Sequence, residues 1–354
     1  MSKNSAIIIG GTGQIGLAVA QNLLDQGWFV SITHRGNNAV PQLLVDQGIR
    51  EIIHDRDQDA SLSSIIGQGA DAVIDTIAFD AVHADQLLEI QGDVGSIVAI
   101  SSSSVYCDDQ GRTLDEARAN GFPHLPKPMK ETQPTVPPSN ETYSTKKVAL
   151  ERRLLDRATT PITILRPGAI HGIASVHPRE WWFVKRMMDG RPVIPLAYRG
   201  ESRFHTTSVA NIAALIGIVL KTPATRILNV GDETALSVGQ IGEVIGRHLE
   251  FNGQFALIDD DAYPPSIGAT PWSVPAPFMI DNSAAEALGF RPLPYAATVG
   301  STCDWFVQIG AAGDWQNRFP MFARYNEHPF NYPAEDAFLA GGNGAPGTTQ
   351  HRIR

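Results

Sequence analysis

The sequence predicts an open, doubly wound parallel α/β sheet followed by a smaller α/β lobe. Three observations predict it. Short, wholly apolar runs alternate with stretches of helical period from residue 6 to residue 101, a glycine-rich turn joins the first run to the first helix, and the regularity lapses only in a proline-rich middle stretch. Strands buried on both faces read as continuous apolar runs, and strand–helix–strand repeats close through right-handed crossovers into a parallel sheet.

Taken in order, Ala6–Ile9 reads as a buried strand. Ile15–Gln26 reads as a helix with Ile15, Val19, Leu23 and Leu24 toward the sheet. Trp28–Thr33, Ile49–His54, Ala72–Thr76 and Ser96–Ser101 are the next strands. Between Cys107 and Thr142 the chain is polar and carries Pro123, Pro126, Pro128, Pro134, Pro137 and Pro138. So long a connection in a compact domain is more often functional than idle, which places it at the flank of an active site. Tyr143–Arg157 then reads as a helix and Ile162–Arg166 as the sixth strand; Trp181–Met188 and Val209–Lys221 read as helices and Ile227–Val230 as a strand. Ser237 with Gln240, and Ser283 with Glu286, carry the capping-box spacing, the latter ahead of a stop at Gly289. The expected division is a dinucleotide-binding domain over 1–172 that takes back some later strands, and an interleaved substrate lobe over 173–310. An irregular, aromatic-rich extension over 311–354 completes it, its tail from Gly341 reading as disordered.

Composition narrows the function classes. A chain of 354 residues with 43% hydrophobic and 18% charged residues is a globular protein with a substantial core, not a disordered one. A net charge of −9 argues against a nucleic-acid partner, which calls for a basic face. The two cysteines, Cys107 and Cys303, make neither a disulfide framework nor a metal-ligand spacing, and the ten histidines form no H-x-x-x-H pair, so no metal is expected. The apolar stretch Ala6–Gly16 is interrupted by glycines and lacks a cleavage pattern, and no run of about twenty apolar residues follows. A cytoplasmic protein without a membrane span is expected.

The turn Gly10-Gly11-Thr12-Gly13-Gln14-Ile15-Gly16 follows a strand and opens a helix, the context that gives a glycine trio meaning as a Rossmann-type dinucleotide loop. Glycine there allows the tight turn and the close approach of a pyrophosphate, which the helix N-terminus attracts. The second strand ends at His34-Arg35 with a cation and no acid, which favours a ribose 2′-phosphate and hence NADP over NAD; the plain alternative is Arg35 as a solvated surface residue. Asp55-Arg56 ends the third strand, where an acid can receive the adenine amino group. Thr76-Ile77-Ala78 ends the fourth, where the chain passes beneath the cofactor.

Tyr143 and Lys147 stand one helical turn apart, continued by Leu150 and Leu154. An ammonium beside a phenol favours the phenolate and lets tyrosine exchange a proton nearer neutral pH. Alone, Tyr-x-x-x-Lys is a common coincidence. Here Ser101-Ser102-Ser103-Ser104-Val105-Tyr106 closes the fifth strand, at the sheet edge where doubly wound folds bind ligands, and Arg166-Pro167-Gly168-Ala169-Ile170-His171-Gly172 closes the sixth.

In order and spacing these pieces, with the late Leu288-Gly289-Phe290-Arg291-Pro292 segment, resemble the extended short-chain dehydrogenase/reductases, also called NAD-dependent epimerase/dehydratases, from about Ala6 to Trp305. The resemblance implies that Ser102 binds the substrate oxygen, Tyr143 transfers the proton, and Lys147 holds the nicotinamide ribose while tuning Tyr143. Pro167, Gly168 and Ile170 would line the nicotinamide. Family dehydratases follow the catalytic position with Asp-Glu, whereas this chain has Ser103 and Ser104, so elimination lacks its acid–base pair and these serines become substrate contacts. The His34-Arg35-Gly36 ending resembles atypical, NADP-leaning members.

The reading is therefore an NAD(P)-dependent oxidoreductase moving hydride between NADP(H) and a carbonyl/alcohol small molecule. One alternative is a nucleotide-sugar epimerase with transient cofactor reduction, in which Arg203 and Arg291 stand where such members keep diphosphate-binding arginines. Another is a non-catalytic NADP-binding sensor or RNA-associated protein, against which the intact Ser102, Tyr143 and Lys147 speak. Trp181, Trp182 and Phe183 read equally as pocket or core, and a homodimer through the Tyr143 helix is what the resemblance implies.

Overall fold

The computed structural model describes residues 4–59, 61–259, 267–320, 322 and 329–341. The chain forms two compact units, neither continuous in sequence: residues 1–170, 209–231 and 280–292 make the first, and 171–208, 232–279 and 293–354 the second.

The first unit is built on β1 (Ser5–Ile9), α1 (Gln14–Asp25), β2 (Phe29–His34), β3 (Arg50–Ile53), β4 (Ala72–Asp75), α2 (Ala81–Glu89), β5 (Ile97–Ile100), α3 (Tyr143–Arg157), β6 (Ile162–Pro167), α4 (Val209–Val219) and β7 (Arg226–Val230). The seven strands lie in the order β7-β6-β5-β4-β1-β2-β3, every pair parallel. Successive residues of a strand face opposite sides. Ala6 and Ile8 therefore join Val19, Leu23, Ile212 and Ile216 in the core beneath α1 and α4, while Ile7 and Ile9 join Leu87, Leu150 and Leu154 beneath α2 and α3. Chain order reverses between β1 and β4, which opens a crevice at their C-terminal ends.

Behind that edge lies a buried polar network. The Glu151 carboxylate accepts from Arg166 Nε at 2.9 Å, Arg166 Nη2 at 2.5 Å and Ser101 Oγ at 2.5 Å. The guanidinium of Arg166 lies 4.9 Å from the centroid of the Tyr106 ring, whose hydroxyl donates to Asn229 Oδ1 at 2.6 Å. Asn229 in turn donates to Met129 O and to Glu131 Oε1. Burial pushes the Tyr106 hydroxyl up to about 12, with Arg166 partly opposing. Burial works against the charge on Arg166, but Glu151 outweighs it and raises that guanidinium above its ordinary value. This network ties the proline-rich connection to the sheet, helped by Cys107 N to Pro134 O, Val136 N to Val105 O and the buried Leu125, Met129 and Val136.

In the second unit the helix Trp181–Met188 packs against Gly300–Ala311 and Val238–His248. Trp181, Trp182 and Phe183 are core residues, fully or almost fully buried, with the Trp181 ring 5.8–5.9 Å from Phe306, Trp315 and Phe319. Strands Val193–Leu196 and Gln254–Leu257 pair in parallel. The Ser237–Gln240 capping box forms. The Ser283–Glu286 box, in the first unit, does not: Asn282 holds the cap position while its side chain bonds Gly231, and Ser283 is already helical. Within the stretch from 311, expected to be irregular, Trp315–Arg318 and Tyr332–Ala340 are helices, the latter fixed by a buried Glu335–Arg186 pair at 2.6 Å. The tail expected to be disordered lies, from residue 342, outside the described residues. No helix among the described residues is long and apolar enough to cross a membrane.

Removing one partner of a buried pair strands the other charge. Glu151→Ala is expected to destabilise the protein by about 3–5 kcal/mol in urea unfolding, with much of the loss recovered by pairing Glu151→Leu with Arg166→Met. A loss under about 1 kcal/mol for Glu151→Ala, the size of an exposed pair, would show the network to be slack.

Candidate active site

The glycine turn sits at the mouth of the crevice. Gly10 has φ +82°, a region side chains avoid, and a Cβ there would meet Ile77 Cγ2 at 2.5 Å and Thr76 Oγ1 at 2.7 Å. Gly16 lies so close to the turn that a Cβ would fall 2.6 Å from Gly11 Cα. Gly13 is the N-cap of α1 and donates to Gly10 O at 3.0 Å; Gln14 opens the helix, Ile15 packs into the core, and Thr12 is buried at the bend. The first turn of α1 has no acidic side chain, so its amide dipoles face the crevice without a competing anion. A dinucleotide pyrophosphate fits this cradle. Thr76 anchors the opposite lip through Oγ1 to Ile9 O at 2.9 Å, and Ile77 lies over Gly10, half exposed.

At the end of β2 the two expected ligands part company. His34 is buried, its Nε2 2.8 Å from Glu51 Oε1 and its Nδ1 accepting from Gly36 N, so its ring braces the loop. Arg35 is exposed and forms no ion pair among the described residues. Asp55 is half-buried, with Oδ1 accepting from Asp57 N at 3.1 Å. Arg56, grouped with the cofactor ligands on sequence, is turned inward. It is buried, with Nη1 2.6 Å from Asp75 Oδ2 and Nε 2.8 Å from Gln86 Oε1. Its physical role is to neutralise Asp75, whose other oxygen accepts from Ile77 N at 3.0 Å and so shapes the Thr76–Ala78 lip.

Thr142 and Thr145 form a capping box that starts α3 just before Tyr143, a signal the sequence carried and the reading missed. Lys147 is buried and its Nζ donates to Ala78 O at 2.5 Å and Ile100 O at 3.0 Å, at the ends of β4 and β5. That nitrogen lies 5.6 Å from the centroid of the Tyr143 ring, which is 43% exposed. Ser102 caps the turn Ser103–Val105; its hydroxyl accepts from Ser104 N and donates to Ser104 Oγ at 3.0 Å. Ser144 Oγ, next to Tyr143, donates to Ser104 O at 2.9 Å and lies 3.0 Å from Ser104 Oγ. Ser102, Ser104, Tyr143 and Lys147 are thus brought together, and Ser103, in the same turn, is buried.

Two carboxylates join this edge. Asp108, past the strand end, is held at about 2 against the opposing effect of burial by the amides of His124 and Arg112 and by the Arg112 guanidinium, so it scaffolds a loop. Asp115, which sequence reasoning missed, accepts from Ser144 N at 2.7 Å in the first turn of α3, from a loop distant in sequence. Pro167 ends β6 with Gly168 and the half-buried Ile170 following. The guanidinium of Arg291 donates to Phe290 O at 2.7 Å and Glu286 O at 3.2 Å. Arg203 belongs to the second unit and donates to Ala235 O at 2.7 Å. Among the described residues no cluster could hold a metal ion.

Burial pushes the Lys147 ammonium down to about 8, with Asp75 the strongest opposing influence. Because the unfolded chain then binds more protons between about 8 and the ordinary lysine value of 10.5, this group's contribution to stability rises with pH across that window and its cost is complete below it. An NMR titration of the Lys147 side chain in cofactor-free protein should give a midpoint near 8, and Asp75→Asn should lower it further. An ordinary lysine midpoint would contradict the buried placement.

A family model described as the NAD dependent epimerase/dehydratase family matches residues 6–231. Among curated proteins, the chloroplast stem-loop binding protein of 41 kDa b of Arabidopsis thaliana is 26% identical over 245 residues, 66% of this chain and 60% of that relative. The match therefore spans less than two thirds of the relative. Solved structures share the fold. A UDP-N-acetylglucosamine 4-epimerase from Methanobrevibacter ruminantium is 19% identical with a TM-score of 0.65, over 87% of this chain and 99% of that one. The UDP-glucose 4-epimerase of Thermus thermophilus in complex with NAD is 18% identical with a TM-score of 0.62, over 85% and 98%. Since the family match runs unbroken through the glycine loop, the Ser102–Tyr106 turn, the Tyr143–Lys147 helix and the Arg166 strand, the chain belongs to the NAD dependent epimerase/dehydratase family, a family of nicotinamide-dependent enzymes of the extended short-chain dehydrogenase/reductase type.

Proposed function

We propose that this enzyme moves hydride between NADP(H) and a carbonyl/alcohol substrate, with Tyr143 as the proton carrier. The observation that carries the reading is the set Ser102–Ser104–Ser144–Tyr143–Lys147, which joins strand end and helix through hydrogen-bonded neighbours. Bound in the crevice, the nicotinamide supplies or accepts the hydride. Ser102 offers a hydroxyl to the substrate oxygen, Tyr143 gives or takes its proton, and the Lys147 charge favours the phenolate. Arg35, exposed and without an ion pair among the described residues, supports the preference for a 2′-phosphate. Two buried free thiols suit a reducing, cytoplasmic setting.

Dehydration finds little support, because Ser104 is spent on Ser102 and Ser144 and Asp108 on its loop. Epimerisation is the second reading, favoured by the family match itself. The candidate diphosphate ligands Arg203 and Arg291 each donate through Nη1 to main-chain carbonyls, which commits one of the three nitrogens of each guanidinium and decides nothing between the two readings. An RNA-associated role is disfavoured by the net charge of −9.

Two outcomes test the reading. In fluorescence titrations NADPH should bind more tightly than NADH, and Arg35→Asp should erase or reverse the difference; equal dissociation constants in the wild type would sink the NADP preference. Tyr143→Phe should lower turnover by at least ~10²-fold, the scale of a lost general acid–base group, while leaving NADPH binding intact. Lys147→Ala should impair both. A fully active Tyr143→Phe enzyme would remove Tyr143 from the chemistry.

A further inference from the structure

Two histidines flank the cofactor crevice in the same arrangement. At the end of β2, His34 Nδ1 accepts from Gly36 N at 3.1 Å, and its Nε2 lies 2.8 Å from Glu51 Oε1 on β3. In the first turn of α2, His83 Nδ1 accepts from Phe79 N at 2.9 Å, and its Nε2 lies 3.2 Å from Asp57 Oδ1 in the loop after β3. A main-chain N–H can only donate, so Nδ1 carries no proton in either ring. The ring proton then sits on Nε2, facing the carboxylate, and both imidazoles are neutral.

Each brace ends on a lip of the crevice. Gly36 follows Arg35, the candidate 2′-phosphate ligand, and Phe79 follows Ala78, whose carbonyl accepts from Lys147. His34 is 7% exposed and the His83 side chain 14%, so water has little room to replace a lost acceptor. The charged groups about His34 are Glu51, Arg35 and His54, whose amide donates to His34 O and whose Nδ1 lies 3.7 Å from Asp59 Oδ2. About His83 they are Asp57, Asp80, which caps α2 through His83 N, and Arg56, whose Nη2 donates to His83 O at 3.4 Å. Lys146 Nζ stands 5.3 Å from the Phe79 ring. An imidazolium has two donors and no acceptor. With a carboxylate at Nε2 the charged ring keeps its partner there, but at Nδ1 it sets N–H against N–H.

We propose that His34 and His83 are positioning residues that make nicotinamide-cofactor binding sensitive to pH, the neutral rings holding the two lips and acid releasing them. The inference rests on the nicotinamide cofactor of the family and is independent of whether hydride transfer is net or transient. The rings act through the Gly36 and Phe79 amides rather than by touching the cofactor. A cofactor that needs both lips braced binds in proportion to the fraction of molecules that have them so. Affinity is therefore full where both rings are neutral and falls as pH drops through the range in which imidazoles charge.

The test is calorimetric binding of NADP⁺ and NAD⁺ to the full chain at pH 7.5 and pH 5.5, a window below the Lys147 value of about 8. Both dissociation constants should rise by about fivefold or more at pH 5.5, the scale of one lost hydrogen bond. A 2′-phosphate itself takes up a proton near pH 6, so weakening confined to NADP⁺ belongs to that phosphate and overturns the inference. Asparagine places an amide oxygen where Nδ1 stands and does not titrate, whereas glutamine reaches only the place of Nε2. His34→Asn with His83→Asn should keep most of the pH 7.5 affinity and lose the pH dependence. His34→Gln with His83→Gln should bind about fivefold or more weakly at both pH values. An Asn pair that stays pH-dependent, or a Gln pair equal to wild type at pH 7.5, contradicts the assignment. Amide-exchange protection of Gly36 and Phe79 in the wild type needs no variant: it should fall at pH 5.5, and constant protection overturns the inference. Cofactor affinity that ignores pH does the same and leaves the proposed function standing, while a wild type that binds neither cofactor overturns both.

Discussion

The buried ammonium of Lys147, donating to the carbonyls of Ala78 and Ile100, is the contact on which the rest of the site depends. A cation with low exposure is costly unless hydrogen-bonded and balanced by charge. Here the ends of β4 and β5 supply the acceptors, and Asp75 and Glu151 supply the favourable field. An ammonium has three donors, and the third meets no acceptor among the described residues. The same anchor ties α3, and with it Tyr143, to the ends of β4 and β5.

The charges around Lys147 brace this edge. Arg56 neutralises Asp75 from the far side of the lip, and Arg166 neutralises Glu151 beneath β5 and β6. Each pair is worth little as net stability, since desolvation offsets the attraction. Their value is positional. Two buried pairs with fixed hydrogen bonds hold the carboxylates where they bias Lys147, and preorganised groups of this kind act without rearranging when charge develops on the substrate.

Much of this was legible in the sequence, for identifiable reasons. Strand and helix period gave the order of elements because a sheet covered on both faces forces continuous apolar runs. The glycine turn and the Tyr143–Lys147 spacing were legible because their geometry is local. What escaped was long-range. Nothing near Arg56 tells that Asp75, across a crossover, would draw it inward, and nothing near Ser144 points to Asp115 in a separate loop. His34 looked like a ligand until Glu51 on the neighbouring strand claimed it. At Ser283 a local capping signal lost to Asn282, whose side chain is held by Gly231 on β7's end. The Thr142–Thr145 cap, by contrast, was local and simply uses threonine at the position where Glu or Gln is the usual mark.

The central claim is that the Ser102, Tyr143 and Lys147 set performs net hydride transfer rather than a cofactor-neutral rearrangement. The most direct measurement follows the nicotinamide absorbance band while product is quantified in the same cuvette. The account predicts one cofactor oxidised or reduced per product formed, with both signals lost in Tyr143→Phe. Product accumulating with no change in the band would contradict it and make the enzyme an epimerase.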